Sequence, residues 1–412
     1  MPSSPAGVNL QALLGPRVAE LRSRFGIETL SGLRDRAVIV LYGASILGLL
    51  GRVALATRQG AGDLVPLYDA EVAFLHHQPP YSVHLFVYPP SVLALMLPIG
   101  VISFGKAKAV FIVLDALAIW IAGLGCLRLA GLALGTVRAA GFMAALALLA
   151  PVAQTLNAAN INGPILLAEV GFLLLLARSS WRQAGACLGL SLALKPVLLP
   201  LGLLLIVRRK WSGSILAAAI PIGLSLLVAL ALANPQAFVQ TTIPFLLRGE
   251  DVAAGENVSI AGTIARVGLP VAMGLVLRVI AAAGGIAVLW ELRRQTTSVP
   301  FAVALLSATF LAAPFSWPYY TIYLLPLLAY AMVGRAYWTW MGVAALYCLA
   351  APDISVWLRL GQPGFDYVHV RVTVGFALAL VAIWLASRRD TRNRNGSRLA
   401  FVGVTPSSTP NR

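Results

Sequence analysis

The sequence predicts an all-α, polytopic integral membrane protein, and three observations lead to that class. Of 412 residues, 59% are hydrophobic and only 11% charged, more apolar surface than one soluble core can bury. Apolar runs of about 18 or more residues recur along the chain, each long enough to cross a bilayer as a helix. The basic residues fall in short clusters between those runs, as in cytoplasmic loops. The net charge of +16 therefore reads as membrane orientation, with no nucleic-acid partner expected. Cys126, Cys187 and Cys348 are scattered without paired spacing, so neither a disulfide framework nor a metal site is indicated.

Residues 1–36 are polar or amphipathic and carry Arg17, Arg22, Arg24, Arg34 and Arg36, which does not match a cleavable signal peptide. Within them, 8–24 place apolar residues at helical spacing beside arginines. Such a stretch is either a helix lying on the cytoplasmic face or a solvated arm. The first span is expected over 37–56, with Arg34 and Arg36 holding the N-terminus inside. Residues 63–90 then face outside. Apolar segments follow at 90–104, 107–127, 139–156 and 163–178, the first short for a bilayer that takes about 20 helical residues.

Residues 178–210 hold two apolar halves split by Lys195-Pro196, with Arg178 and Arg182 at one end and Arg208, Arg209 and Lys210 at the other. They form either a re-entrant hairpin with Lys195 near its tip or one long span with the lysine at mid-membrane. Further spans are expected at 213–233, 268–290, 299–315, 318–334, 336–352 and 370–387. Between them the charge rule puts 291–294, Arg335 and 388–398 inside, and 234–267, 316–320 and 353–369 outside. With both termini cytoplasmic the number of crossings is even, and about ten to twelve are expected. The organisation is thus a cytoplasmic arm (1–36), a transmembrane domain (37–387) and a polar, disordered cytoplasmic tail (388–412). No repeat of about 20–50 residues is visible.

The stretch from Asp63 to Pro90 is the most polar part of the first two hundred residues. It holds Asp63, Asp69, Glu71, His76, His77, His84 and three tyrosines. Ionisable groups at the mouth of a membrane domain are costly unless they are used. The run 64–77 reads as a short interfacial helix with Asp63 at its N-cap, so Asp63 is either a helix cap or a general base. His76 and His77 fit a water-facing loop, and no helical His-x3-His pair or ligand-spaced carboxylate pair supports a metal. Tyr88-Pro89-Pro90 fits a helix start. Asn160-Ile161-Asn162-Gly163-Pro164 is a helix break whose amides can line a cavity. Lys195 and Glu169 are intramembrane charges that need partners.

Asp63-x4-Tyr68, the Tyr-Pro-Pro at 88–90, the Asn-Ile-Asn-Gly at 160–163, the Gly-x-x-Leu-Ala-Leu-Lys-Pro ending at 196 ahead of Arg-Arg-x-Trp, and the late Ser316-Trp317-x-x-Tyr320 occur in that order. Together they resemble glycosyltransferase family 87, of the GT-C superfamily, over roughly residues 37 to 330. The resemblance implies a polytopic transferase of the bacterial plasma membrane, with its active site on the external face. The donor would be a polyprenyl-phosphate sugar and the acceptor a cell-envelope glycan or glycolipid. Mannosyl members carry a histidine after the late Ser-Trp, whereas Pro318 follows Trp317 here. The 160–170 and 248–262 stretches look closer to branching arabinofuranosyltransferases. An arabinofuranosyl donor is therefore favoured, and a mannosyl donor is the alternative.

A lipid-phosphate sugar already carries a good leaving group, so the enzyme needs a base for the acceptor hydroxyl and a hold on the phosphate. Asp63 is the expected base, with Asp69 as second choice. Lys195, with Arg266 or Arg248, is expected to offset the phosphate charge. Tyr88, His76, His77, Asn160, Asn162, Asn257, Tyr319 and Tyr320 are candidate contacts to sugar and phosphate oxygens, and Trp317 a stacking platform. No cofactor is expected, the lipid-linked sugar being a substrate, and no nucleotide-sugar motif is present. A transporter of lipid or solute explains the hydropathy equally well, but predicts matching broken helices in two halves, which the sequence lacks.

Overall fold

The computed structural model describes residues 27–248, 257–293, 298–333 and 367–402, together with Val343 and Tyr347. The 8–24 arm, nearly all of the 336–352 span and most of the 353–369 segment lie outside the described residues. All regular structure among the described residues is helical. Five helices are long and apolar enough to cross a membrane alone, or six if one bent pair counts as a single span.

The first helix, α1 (Ile27–Ala56), carries Arg34, Asp35 and Arg36 near its start, is mostly apolar beyond them, and leaves Ile39, Val40, Leu47 and Leu50 exposed, the surface of a lipid-facing helix. α2 (Leu64–Leu75) is short and lies at one end of the bundle. α3 (Ser91–Gly100) has only ten residues, about 15 Å of helix, and does not span. α4 (Phe104–Leu129) is a full span. The expected 139–156 span is instead two helices, α5 (Val137–Leu146) and α6 (Ala150–Ala158), bent by 42°. Arg52 of α1 donates from Nε to the Ala147 carbonyl at the bend, 2.8 Å away, satisfying an acceptor that the broken helix leaves over.

α7 (Asn162–Ala177) starts beside α4. Gly163 sits so close that any Cβ would collide with Asp115. The Asp115 carboxylate accepts the Gly163 N–H at 2.7 Å and so caps the start of α7.

The 178–210 segment is a re-entrant hairpin. α8 (Trp181–Leu194) rises to Lys195, and a 3₁₀ turn (Pro196–Leu201) with α9 (Gly202–Val207) descends again. The two ends meet, since Lys210 Nζ lies 4.6 Å over the Trp181 ring and the Arg208 guanidinium 6.0 Å from it. Each limb is only about 20 Å long, so Lys195 turns at a tip and no segment carries it across. Gly185 and Gly189 form a small-xxx-small pair on α8 that admits α10 (Trp211–Ala229); a Cβ at Gly185 would strike the Gly213 carbonyl.

A π turn (Phe238–Thr242) leads into α11 (Ile243–Arg248). α12 (Ile260–Arg266) and the span α13 (Val271–Leu292) follow. α14 (Ser298–Ala312) is buried along nearly its whole length. The expected 318–334 span is a 3₁₀ turn (Pro318–Leu324) followed by the short α15 (Leu325–Ala331). α16 (Tyr367–Val402) closes the bundle and stays helical well past 388, where the sequence reads as a disordered tail. Several of the ten to twelve expected crossings are thus short helices enclosed by protein.

Candidate active site

The sharp turns at one end of the bundle converge on a single cavity of about 350 Å³. Its polar wall carries Asp63, Tyr88, Asn160, Lys195, Tyr319 and Tyr320, with Trp317 at its side. Its other wall is apolar and includes Val197, Leu199, Pro200, Phe245, Leu246 and Phe310. Leu199 of the apolar wall is also 62% exposed on the outside of the hairpin.

Asp63 occupies the N-cap position of α2, but its side chain makes no cap hydrogen bond. Its backbone N–H is held by the Ala158 carbonyl at 3.0 Å, and its carboxylate accepts from the Asn160 amide. Asn160 owes its position to the end of α6. Ala159 adopts the left-handed conformation (φ 48°), with Ala159 N–H bonded to Leu156 and Asn160 N–H to Thr155. That is a Schellman ending with alanine where glycine is usual, a strained choice worth about 1–2 kcal/mol.

Lys195 Nζ lies 3.5 Å from both the Asn160 Oδ1 and the Asn162 Oδ1. It also stands over the Tyr320 ring at 5.0 Å and the Tyr319 ring at 5.5 Å, two cation–π contacts. Burial lowers its pKa to about 8, with the nearby Asp63 carboxylate acting the other way. The hairpin tip is pinned from α3, where the Ser91 hydroxyl donates to the Ala193 carbonyl at 2.7 Å. The Tyr81 hydroxyl donates to the Tyr88 carbonyl at 3.1 Å and holds the loop that brings Tyr88 in. Burial, and then the Asp63 charge, raise the pKa of Tyr88 and of Tyr319, so both phenols keep their protons and can donate.

Two residues absent from the sequence reading support that wall from behind, outside the lining of the cavity. The Tyr323 hydroxyl donates to Asn162 Oδ1 at 2.7 Å, and Asp115 sets the start of α7 from behind. Tyr320 and Tyr323 are three apart in a 3₁₀ turn, a spacing that eclipses side chains, and Asp115 is a lone acid inside an apolar run. Those were the available signals.

The remaining candidates lie elsewhere. Asp69, His76 and His77 are exposed and do not line the cavity. Arg266 closes α12 away from it, and Arg248 is the last residue of α11, two beyond the lining residue Leu246. Asn257 is occupied with backbone: its Oδ1 accepts from Ser259 and Ser316 N–H at 2.9 Å, and its Nδ2 donates to Pro314 at 3.0 Å. It thereby shapes the strand of chain that presents Trp317, whose ring stacks on Tyr319 at 5.8 Å and 8°. No group of three or more His, Cys, Asp or Glu able to hold a metal occurs among the described residues.

The comparisons agree with this architecture. Residues 86–314 match the family model of glycosyltransferase family 87. An alpha-(1->3)-arabinofuranosyltransferase of Mycobacterium tuberculosis is 31% identical over 93% of this chain and 96% of its own length. Proteins of the same name from Mycolicibacterium smegmatis (28%, 84% of each chain) and Corynebacterium glutamicum (29%, 79% of this chain and 80% of the other) are also similar. No solved structure matches the chain. With its multi-pass helical bundle and a matched region covering more than half its length, the chain is a membrane glycosyltransferase and belongs to glycosyltransferase family 87.

Proposed function

We propose that this enzyme transfers an arabinofuranosyl group from a polyprenyl-phosphate donor to a cell-envelope glycan or glycolipid. The observation that carries the reading is the two-ended cavity. Asp63 and Lys195 stand at its polar end, and an apolar wall leads from them to the exposed Leu199 on the membrane-facing hairpin. An amphiphilic donor fits such a shape: the phosphate lies near Lys195, and the prenyl chain runs along Val197, Leu199 and Phe245. The names of the similar proteins favour arabinofuranose as the sugar.

In the reaction, the Asp63 carboxylate takes the proton of the acceptor hydroxyl as its oxygen attacks the anomeric carbon. The anomeric carbon–oxygen bond breaks, and its electron pair leaves with the polyprenyl phosphate. Lys195, held cationic at neutral pH, offsets the charge that develops there. The protonated Tyr88 and Tyr319 supply donors to sugar or phosphate oxygens, and Trp317 with Tyr319 offers an aromatic face to the sugar ring. Asp69, His76 and His77 have no part in this scheme.

The polarity of the bundle supports an external site and cytoplasmic termini. The hairpin base with Arg178, Arg182, Arg208 and Lys210 lies a limb's length from the cavity. Arg388 pairs with Glu291 at 3.3 Å, close in sequence to the start of α14, whose far end lines the cavity. Basic residues gathered at the end opposite the site favour that end as the cytoplasmic one.

The experiment is transfer of radiolabelled sugar by purified enzyme, and by right-side-out vesicles with acceptor supplied outside. The expected result is label from polyprenyl-phosphate arabinose and little from polyprenyl-phosphate mannose. Preference for the mannosyl donor would overturn the sugar, and transfer only with acceptor inside the vesicles would overturn the orientation.

A further inference from the structure

The polar wall contains a cation and an anion that do not touch. Lys195 comes from the hairpin tip and Asp63 from the start of α2, and the Asn160 side chain that lies between them is the one group that bonds both. The chemistry of the three groups permits one arrangement. An ammonium has only donors and an ionised carboxylate only acceptors, so the amide must turn its oxygen to Lys195 and its NH₂ to Asp63. That is the orientation seen. Asn160 is itself 1% exposed, and its backbone is locked by the Schellman ending of α6, so the amide cannot swing aside. Asn162 repeats the restraint on the other flank of Lys195, its oxygen fixed by Tyr323.

We infer that Asn160 is a positioning residue that insulates Asp63 from Lys195, preventing a direct salt bridge that would disable both. The inference rests on the general-base reading of Asp63. A direct ion pair would lower the basicity of the carboxylate and occupy the ammonium protons needed by the phosphate. With the amide between them, the carboxylate meets neutral side chains, the Asn160 amide and the Tyr319 phenol, and Lys195 holds only long contacts that a phosphate can replace. The other titratable groups facing Asp63 are Tyr88, ahead of α3, and Tyr319 and Tyr320 on the 3₁₀ turn. All three are phenols, and among the described residues Lys195 is the cation that faces it.

The test is the acidic limb of the kcat/KM profile against pH, measured for full-length purified enzyme with saturating donor. The wild-type limb reports protonation of Asp63, and Asp63→Asn should abolish it. Asn160→Ala lets Lys195 close on Asp63, and the limb should move down by about one pH unit. Asn160→Asp keeps the shape, adds a negative charge beside Asp63, and should move the limb up by about one unit. Opposite displacements support the inference. A purely structural role for Asn160 would lower stability and leave the limb of the alanine variant where it is, and an unmoved limb there, or limbs moved in the same direction, overturn the insulating role. If the alanine variant does not fold, Asn160→Ser, which also removes the amide, is read in its place, and an unshifted limb overturns the role. Survival of the limb in Asp63→Asn defeats the general-base reading instead, and the inference falls with it.

Discussion

Two carboxyl groups on one short helix are treated in opposite ways. Asp63 at the head of α2 is partly open to the cavity, accepts from an amide, and has a phenol and an ammonium nearby. Glu71, eight residues on, is fully buried against α3, and neither of its oxygens has a hydrogen-bond partner among the described residues. Burial raises its pKa to about 9, so at neutral pH it is a neutral acid. The same functional group is given hydrogen-bond donors at one position and only packing at the other. Position on the helix does not explain the difference; the neighbours do.

The largest expected effect comes from removing the charge of the first group. Asp63→Asn keeps the shape, and since the native side chain caps nothing, no helix cap is lost. Turnover should fall by about 10²–10⁴ in protein that still binds the proposed lipid donor. Asp69→Asn, on the exposed face of the same helix, should leave turnover unchanged. Normal turnover in Asp63→Asn would remove the base from this mechanism, and loss in Asp69→Asn alone would transfer the role.

A smaller effect is expected at the cation that Asp63 faces. Lys195→Met preserves length and apolar packing and should raise the donor KM by about tenfold to a hundredfold, the worth of a charged hydrogen bond. Because the Lys195 pKa is lowered to about 8, the lysine is charged below that pH and loses its proton above it. Donor affinity of the wild type should therefore weaken as pH rises through about 8, and the dependence should vanish in the methionine variant. A donor KM unchanged by the substitution would return Lys195 to a structural role at the hairpin tip.

How much of this was legible depends on whether the signal was local. The hairpin could be read as an option because basic clusters at both ends of 178–210 cannot easily lie on opposite faces, and Lys195-Pro196 marks the break. The contact of Lys210 and Arg208 with Trp181 then decides it. Asp63, Tyr88, Asn160, Lys195 and Tyr319 each stood out as polar residues in apolar surroundings, and they share one cavity. What stayed hidden was pairing at long range. Tyr323 bonds Asn162 across 161 positions, and nothing near either residue announces the other. Asn257 misled for a different reason, since an amide serves sugar or backbone equally well until its neighbours are placed. The 318–334 segment has the composition of a span, yet Pro318 and Pro326 shorten its helices, and Tyr319, Tyr320 and Tyr323 are buried toward the protein.

The smallest expected effect tests the second carboxyl and leaves catalysis alone. Glu71→Gln replaces a buried neutral acid by a neutral amide of the same shape, so below about pH 4 the two proteins should have equal stability. The sign then follows from linkage. The folded-state pKa is raised to about 9 above an unfolded value of about 4.3, so the folded state binds the extra proton between those values. Stability of the wild type must fall as pH rises through that window, as the unfolded chain releases its proton and the folded one cannot. The glutamine variant has no proton to release, and its pH profile should be flatter over the same range. At about pH 8 it should melt higher in detergent, by roughly 2–4 °C if about 1 kcal/mol of the linkage is realised, with turnover unchanged. Equal melting of the two proteins across the whole range would mean that Glu71 finds a partner or water when ionised. The contrast with Asp63 would then reduce to a difference in exposure.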